Sequence, residues 1–198
     1  MGISGRVLAV ELTQKDGMRF KTERGFTLIE LLIVVAVIGI IAAVAIPGLI
    51  RARSSANEAS AIATLRAVNS SQMSYAASCG NGFYASELTI LGDPAPVGMP
   101  FISPEMSVAA TVNKSGYTLD MAEGTEAISA SLDGCNPSGT AGAIFSSYYA
   151  VNQPIFPYAT GSRWFWTNSL GTLYFSGTDD FDAETVGNDV PAAGLPLQ

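Results

Sequence analysis

Residues 25–47, GFTLIELLIVVAVIGIIAAVAIP, decide the fold of this 198-residue chain. No charged residue occurs from Leu31 to Ile50, and a helix of that length spans about 30 Å, the thickness of the hydrocarbon core of a bilayer. The stretch therefore predicts a membrane-spanning helix with a carboxylate, Glu30, at its N-terminal edge. An acid at the bilayer centre costs up to about 3 kcal/mol, so such a residue usually has a partner. Cleavage after Gly25 would create one, because the freed amino group of Phe26 on a neighbouring copy is a cation.

This block resembles the N-terminus of type IV pilins and of the pseudopilins of type II secretion. The resemblance rests on a basic leader that ends in Gly25, the segment Phe26–Glu30, the apolar run and Pro47. It implies that a membrane-embedded prepilin peptidase cuts after Gly25 and methylates the new amine of Phe26. It also implies that Glu30 pairs with the N-terminal amine of an adjacent subunit and sets the register of a filament.

Two side chains of the block, Thr27 and Glu30, are therefore the predicted register residues. The alternative is a signal anchor whose Glu30 merely reaches towards the membrane interface, but this does not explain a glycine and an acid at this spacing. An ordinary secretory signal differs as well, because its cut follows the apolar core. Here the predicted cut precedes the helix, so the helix stays attached.

Charge divides the chain at the predicted cut. Residues 1–25 carry five basic and three acidic side chains, and the remainder carries five basic and 14 acidic ones. The basic leader places that end of the helix in the cytoplasm by the positive-inside rule. The resemblance to pilins implies a precursor in a bacterial inner membrane. The acidic remainder is poorly suited to non-specific nucleic-acid binding. We also expect translation to start at Met18, because residues 18–25 form a short basic leader by themselves.

The chain is expected to contain three segments. They are the leader 1–25, a transmembrane or filament-core half-helix 26–53, and a globular head 54–198 whose tail is loose from about residue 177. One helix is predicted from about Phe26 to about Ser78, apolar all round in its first half and amphipathic in its second.

The second half of this helix has one side predicted to pack on the head and one predicted to face solvent. The packed side comprises Ala61, Ile62, Leu65, Val68, Gln72 and Tyr75. The solvent side comprises Ser54, Ser55, Asn57, Glu58, Arg66 and Asn69. In the first half, Pro47 predicts a kink because it removes a backbone hydrogen bond. The resemblance implies in addition that the stretch from Gly39 to Pro47 unwinds in a filament.

The head is predicted to contain antiparallel strands connected by hairpins. Residues 80–105, rich in Gly and Pro, predict a surface loop with a short helical turn at Ser86–Leu91. The strand candidates are Ser107–Val112, Tyr117–Met121, Phe145–Val151, Arg163–Thr167 and Thr172–Ser176. The expected fold is α+β and type IV pilin-like: a long N-terminal helix packed on a small sheet of four or five antiparallel strands. Trp164 and Trp166 alternate with Phe165, which predicts that one face of that strand is exposed or interfacial.

Few residues of the chain could carry chemistry. Cys79 and Cys135 are the only cysteines, and because the head should lie in an oxidising compartment a disulfide is expected, with two free buried thiols as the alternative. The chain has no histidine, which excludes Ser-His-Asp and Cys-His catalysis, and we expect neither an enzyme nor a cofactor. Asp179, Asp180 and Asp182 could hold calcium, although a solvated acidic tail is the simpler interpretation.

Together these patterns predict a structural subunit of an extracellular type IV pilus. The expected partners are further copies in a helical filament, the prepilin peptidase, an inner-membrane assembly platform and, before assembly, membrane lipid; no direct nucleic-acid site is expected. Two alternatives stay open. One is a pseudopilin that builds a periplasmic pseudopilus for type II secretion, and the other is a membrane-anchored binding protein that never polymerises.

Overall fold

The computed structural model describes residues 25–177 and 194–197. Its longest element is helix α1, Leu28–Ser78. Contacts divide the chain into two compact units, one ending at Ala43 and one beginning at Val44. Within the described residues, the first unit contains the apolar start of α1, and the second contains the strands. The predicted leader, apart from Gly25, and the acidic cluster of the tail lie outside the described residues.

Helix α1 begins two residues later than predicted and ends at the predicted residue. Its start follows Thr27, whose hydroxyl accepts a hydrogen bond from the backbone N–H of Glu30 at 3.3 Å, so the first turn is capped from outside the helix. Its end is followed by Asn81 and Gly82, with φ of 53° and 89°. This left-handed conformation terminates many helices, which explains why the Gly-rich segment marked the end correctly.

Among its described residues, the second unit contains eight strands and the short helix α2, Leu88–Gly92. The strands are β1 Tyr84–Ala85, β2 Val112–Lys114, β3 Tyr117–Glu123, β4 Ile144–Phe145, β5 Tyr148–Pro154, β6 Trp164–Asn168, β7 Leu173–Ser176 and β8 Leu195–Pro196. β1 pairs with β4, and the others form a six-stranded antiparallel sheet in the order β2-β3-β5-β6-β7-β8. The α+β architecture is confirmed, whereas the predicted count of four or five strands is too low.

Both predicted hairpins are present. β2 and β3 are joined by Ser115 and Gly116, whose φ angles of 49° and 75° define the kind of two-residue turn that matches the twist of a hairpin. β6 and β7 are joined by a four-residue loop in which Gly171 has φ of 75°. The strand predicted at Ser107–Val112 is wrong except at its last residue. Residues 108–111 are exposed, so no buried face stabilises an extended segment there.

The strand predicted at Phe145–Val151 is two strands. β4 ends at Phe145 and pairs with β1, whereas β5 begins at Tyr148 and pairs with β3 and β6. Between them, the carbonyl of the buried Ser147 accepts a hydrogen bond from the Gly124 N–H at 3.1 Å. The chain changes sheet at this point, and a pattern of apolar residues does not reveal such a change.

The predicted apolar side of α1 packs on the six-stranded sheet. Its buried members are Ala61, Leu65, Val68, Gln72 and Tyr75, and Ile62 is partly buried at the edge. The apolar members share one core cluster with Leu119 of β3 and Phe165 of β6. Each fully buried large apolar side chain stabilises the fold by about 1.5–3 kcal/mol, so this interface is the main core of the head.

β6 is buried along its whole length, which contradicts the prediction of an exposed or interfacial face. Trp164 and Trp166 are 3% and 0% exposed, and Phe165 is 0% exposed. Phe165 faces the α1 cluster, while Trp166 belongs to a second cluster and stacks on Tyr174 with ring centroids 5.8 Å apart. Gly194 passes so close to the Trp166 indole that a β-carbon would overlap the ring. A cover from a distant part of the chain is therefore what buries this face.

The loose tail expected from about residue 177 stays a prediction for most of its length. Residues 178–193 lie outside the described residues, but residues 194–197 return to the sheet, where β8 pairs with β7. The Leu197 N–H then donates to the carbonyl of Leu173 at 2.8 Å. The last described residues are thus held by backbone hydrogen bonds and by packing.

Candidate assembly site

The predicted cleavage site lies in an open segment just before α1. Residues 25–27 have neither helical nor strand structure, and the Phe26 side chain is 76% exposed. Apart from Gly25 itself and its chain neighbours, no atom of the described residues lies within 4 Å of the position that a β-carbon on Gly25 would take. A peptidase can therefore reach the peptide bond after Gly25 without unfolding any described element.

Thr27 and Glu30 form a reciprocal cap on the first turn of α1. The Glu30 backbone N–H donates to the Thr27 hydroxyl at 3.3 Å, and that hydroxyl donates to the Glu30 carboxylate at 3.4 Å. The arrangement is a variant of the capping box, in which the acid at the third helical position turns back towards the N-terminus. The T-x-x-E pattern is the sequence signal for this contact, which the prediction from sequence did not include.

The cap holds the Glu30 carboxylate at the N-terminal end of α1. A negative charge is favourable there because it faces the positive end of the helix dipole, and the carboxylate is hydrogen-bonded to the hydroxyl of Thr27, the residue that follows Phe26. Among the described residues, Glu30 forms no ion pair within the chain. Its charge is therefore available to a cation from outside the subunit.

The apolar residues of α1 have no cover within the described chain. Large apolar side chains from Phe26 to Ile50 are between 47% and 81% exposed. The segment is long and apolar enough to cross a membrane. A helix that is apolar on every side is stable only in apolar surroundings, so this segment requires lipid or the helices of other copies.

Gly39 and Pro47 both lie inside α1, which is helical throughout this stretch. Pro47 has no N–H, so the carbonyl of Ala43 lacks its helical donor. No side chain lies near the position of a β-carbon on Gly39, and small residues of this kind let membrane helices approach closely. The kink, and the unwinding of Gly39–Pro47 in a filament, stay predictions.

Comparison with known proteins identifies this segment. The sequence model of a family described as the prokaryotic N-terminal methylation motif matches residues 20–46, a range that includes Gly25, Phe26 and Glu30. This segment is similar to the N-terminal segment of type IV pilins. The resemblance to pilins in the first residues of the chain is thereby confirmed.

Two curated proteins are similar to this chain over a short part of its sequence. A type IV major pilin protein of Myxococcus xanthus is 50% identical over 52 residues, which are 26% of this chain and 24% of that protein. A type IV wide pilus major component of Thermus thermophilus is 60% identical over 38 residues, which are 19% of this chain and 29% of that protein. The chain thus spans about a quarter of the length of these curated relatives. No solved structure matches it.

Beyond the apolar part of α1, an ion pair of Glu58 holds the helix to the sheet. One carboxylate oxygen accepts hydrogen bonds from the N–H and hydroxyl of Ser162, both at 2.9 Å. The other accepts hydrogen bonds from Nε and Nη2 of Arg163 at 2.8 and 2.6 Å. The guanidinium also lies 5.5 Å from the ring centres of Phe165 and Phe175, within cation–π range. Burial acts to raise the pKa of Glu58, but the hydrogen bonds from Ser162 and Arg163 together lower it.

Asn69 makes a second polar contact of α1 and joins the helix to three parts of the sheet. Its Nδ2 donates to the hydroxyl of Thr167 at 2.8 Å and to the carbonyl of Gly171 at 3.2 Å. Its Oδ1 accepts a hydrogen bond from the Tyr148 hydroxyl at 2.8 Å. Burial raises the pKa of Tyr148, so this hydroxyl keeps its proton and remains a donor.

Gln72 acts on β1 as the backbone of a neighbouring strand would. Its Nε2 donates to the carbonyl of Ala85 at 2.7 Å, and its Oε1 accepts the Ala85 N–H at 3.0 Å. Because the amide of Gln72 satisfies both backbone groups, the very short β1 is fixed against the helix. Burial of Gln72 was predicted from its place in the apolar stripe, but this pairing was not.

Two residues of the predicted solvent side are in fact buried. Glu58 is 5% exposed and Asn69 is 8% exposed, whereas Arg66 is exposed as predicted. Glu58 precedes Ala61 by three positions and Asn69 follows Leu65 by four, so each lies on the same helical face as its neighbour. Assignment by polarity alone therefore placed these side chains on the wrong side.

The cysteines form the predicted disulfide, Cys79–Cys135, and the alternative of two free thiols is wrong. The bond fixes the end of α1 to the loop that contains Asn136. In the same region the Tyr75 hydroxyl donates to Oδ1 of Asn136 at 3.1 Å. Burial, with a smaller contribution from the charge of Asp93, raises the pKa of Tyr75 to about 12.

The candidate calcium ligands Asp179, Asp180 and Asp182 lie outside the described residues. Within residues 25–177 and 194–197, no group of three or more Cys, His, Asp or Glu side chains is arranged to hold a metal ion.

Proposed function

We propose that the chain is a structural subunit of a type IV pilus. One observation carries the proposal: an open Gly25–Phe26 bond and the Glu30 cap lie directly before an apolar helix that is exposed on all sides. Such a helix must be covered by lipid before assembly and by helices of other copies afterwards. The names of the two relatives, a major pilin and a wide pilus major component, support the same function.

Removal of the leader completes the assembly site. Prepilin peptidase cuts after Gly25 and methylates the amine of Phe26, which remains a cation. Before assembly the Glu30 carboxylate accepts a hydrogen bond from the Thr27 hydroxyl, and in the filament the amine of an adjacent copy pairs with it. Opposite charges attract far more strongly in apolar surroundings than in water, so one relative position of two subunits is favoured over all others.

The subunit reaches the filament through the membrane. The precursor waits in a bacterial inner membrane with its apolar helix in lipid, and an assembly platform transfers it to the growing filament on the cell surface. The protein's role is structural, and the reaction that prepares it is performed by the peptidase.

The test compares Glu30→Ala with Glu123→Ala, which removes an exposed carboxylate from β3 of the head. Mass spectrometry of the protein from cells reads the N-terminus, and immunogold labelling of sheared surface filaments reads assembly. Both variants should begin at Phe26. Glu30→Ala should lower filament yield by about tenfold or more, since each 1.4 kcal/mol of lost pairing is tenfold in an equilibrium, while the control should assemble normally.

Two results would contradict the proposal. Normal filament yield from Glu30→Ala would remove the role of Glu30 in register, and an N-terminus upstream of Phe26 in filaments would remove the assembly site itself. Gold label confined to the periplasm would favour a pseudopilus. Gold label on single molecules in the membrane would favour an anchored binding protein.

A further inference from the structure

A second surface of the head lies beside the end of the apolar run. Residues 155–160 follow β5, and among them Phe156 and Tyr158 are 65% and 76% exposed, while Ile155 is 38% exposed. We propose that these residues, termed the aromatic loop, lie in the headgroup interface of the lipid bilayer while the subunit waits in the membrane. This inference goes beyond the proposed function and rests on one part of it, the anchoring of the subunit in a membrane.

The position of the aromatic loop along α1 follows from its contacts. Asn57 Nδ2 donates to the carbonyl of Thr160 at 2.8 Å, and Ala159 and Thr160 line one cleft together with Ile50 and Arg53. Ile50 is the last residue of the uncharged run. The loop therefore lies level with the end of the segment that fits the hydrocarbon core, where a headgroup layer of about 5–8 Å begins.

The side chains at this level suit a lipid interface. Aromatic rings are enriched between the hydrocarbon core and the headgroups, and Phe156 and Tyr158 are the exposed aromatic residues of the loop. Arg51 and Arg53 are exposed in the turn that follows the apolar run, and long cationic side chains reach the lipid phosphates from there. The rest of the head is acidic, so this end is the one that an anionic leaflet would attract.

The backbone of the aromatic loop is already hydrogen-bonded within the loop. The N–H groups of Ala159 and Thr160 donate to the Phe156 carbonyl at 3.1 and 2.9 Å, and that of Tyr158 donates to the Gly161 carbonyl at 2.8 Å. The Phe156 N–H donates to the Thr160 hydroxyl at 3.2 Å. The loop can therefore enter a poorly hydrated layer without leaving these donors unsatisfied, which is the usual obstacle for irregular backbone in a membrane.

The conformation of the loop is a separate indication of function. Tyr158 has φ of 64°, a left-handed conformation that few bulky residues adopt. Strain of this kind is typical of functional loops and persists only where neighbouring contacts enforce it. Here the strained residue is Tyr158, whose side chain is largely exposed, although folding alone would favour the burial of an aromatic ring.

A contact with a second copy of the chain is the competing occupant of this surface. Lipid is favoured because the cleft that Ala159 and Thr160 line also includes Ile50, an exposed apolar residue at the end of the run that lipid covers before assembly. It is also favoured by charge. Among the described residues, the nearby acid Glu58 is already paired with Arg163, so it is not available to Arg51 of an identical surface.

The test uses the mature full-length chain in phospholipid nanodiscs, with the native disulfide intact. A nitroxide is attached at Ala159→Cys in the aromatic loop or, as a control, at Leu170→Cys in the β6–β7 turn. Leu170 is 62% exposed, but its turn is held by Asn69, 12 residues and hence about 18 Å further along α1 than Asn57. Ascorbate, a water-soluble reductant, should reduce the loop label about threefold more slowly than the control label, because interfacial segments lie about 5–10 Å inside the headgroup boundary.

The loop label is then measured with Phe156→Ser and Tyr158→Asn combined. Asparagine tolerates positive φ, so this pair removes the rings while keeping the backbone. The protection of the label should be lost. Persistent protection in this variant, or equal rates at both labels in the unchanged chain, would overturn the proposal.

Two further outcomes distinguish this proposal from a contact between copies and from a failure of the proposed membrane anchor. Equal rates at both labels, together with loss of surface filaments in the Phe156→Ser, Tyr158→Asn variant, would assign the loop to a contact between copies. A chain that does not remain with the nanodiscs would overturn the membrane anchor, and the proposed pilus function with it.

Discussion

Replacement of Glu58 by glutamine should destabilise the head by about 2–3 kcal/mol. The Glu58 carboxylate accepts four hydrogen bonds, two from Ser162 and two from Arg163. Glutamine keeps one acceptor oxygen but presents an NH₂ group to the two donors that bind the other oxygen. Hydrogen bonds to a charged group contribute about 1.5–3 kcal/mol. The ion pair itself adds little to this value, because the Arg163 side chain is 42% exposed and solvent screens it.

The assay is thermal unfolding of the mature chain in detergent micelles. The fluorescence of Trp164 and Trp166 reports on the head, since both side chains are buried. A loss of 1 kcal/mol lowers Tm by about 2–4 °C in a domain of this size, so we expect a decrease of about 5–10 °C for Glu58→Gln. The matched control, Glu123→Gln, removes an exposed carboxylate and should change stability by less than about 0.5 kcal/mol.

The pH dependence provides a second readout of the same contact. Although burial acts to raise it, the pKa of Glu58 in the folded chain is lowered from about 4.5, so the unfolded chain binds the proton first as the pH falls. The stabilisation is therefore fully present above about pH 4.5 and is lost as the pH falls through the lower folded pKa. The Glu58→Gln chain should depend less on pH in this window. Equal Tm for Glu58→Gln and Glu123→Gln at neutral pH would refute the reasoning.

Three further predictions concern the head. Replacing Cys79 and Cys135 together by serine should lower the unfolding free energy by about 4 kcal/mol, measured by denaturant titration, because the bond spans 56 residues; an unchanged midpoint would contradict this. Asn69→Leu should cost about 3 kcal/mol in the same titration, because its hydrogen bonds with Thr167, Gly171 and Tyr148 are lost; a cost below about 1 kcal/mol would show that the partners find substitutes. Gly194→Ala should detach β8, with a red shift of Trp166 fluorescence and faster amide exchange in the last strand; an unshifted spectrum would show that the segment adjusts instead.

The N-terminal region was predictable from sequence because its physics is local. A long run without charged residues predicts apolar surroundings by itself. The acid five residues after Gly25 can likewise be recognised without information about the rest of the fold. The same holds for the hairpin at Ser115 and Gly116, since the turn is specified by residues that tolerate positive φ. The end of α1 at Ser78 is marked in the same way by the glycines that follow it.

The contacts between α1 and the sheet were not predictable in this way. Glu58 and Asn69 are polar, so polarity assigned them to solvent, yet partners at least 79 residues away complete their hydrogen bonds. The burial of Trp166 likewise depends on Gly194. Strands of two residues, such as β1 and β8, are too short to show an alternating pattern, and only their partners define them.

Four polar residues of α1 are hydrogen-bonded to fixed positions of the head and are spread along several turns of the helix: Asn57, Glu58, Asn69 and Gln72. Sliding α1 along the sheet by one turn, about 5.4 Å, would break all of these contacts together. A pulling force applied along the helix would therefore act on these contacts together, as a shear. The second half of α1 and the rest of the head should move together under such a force.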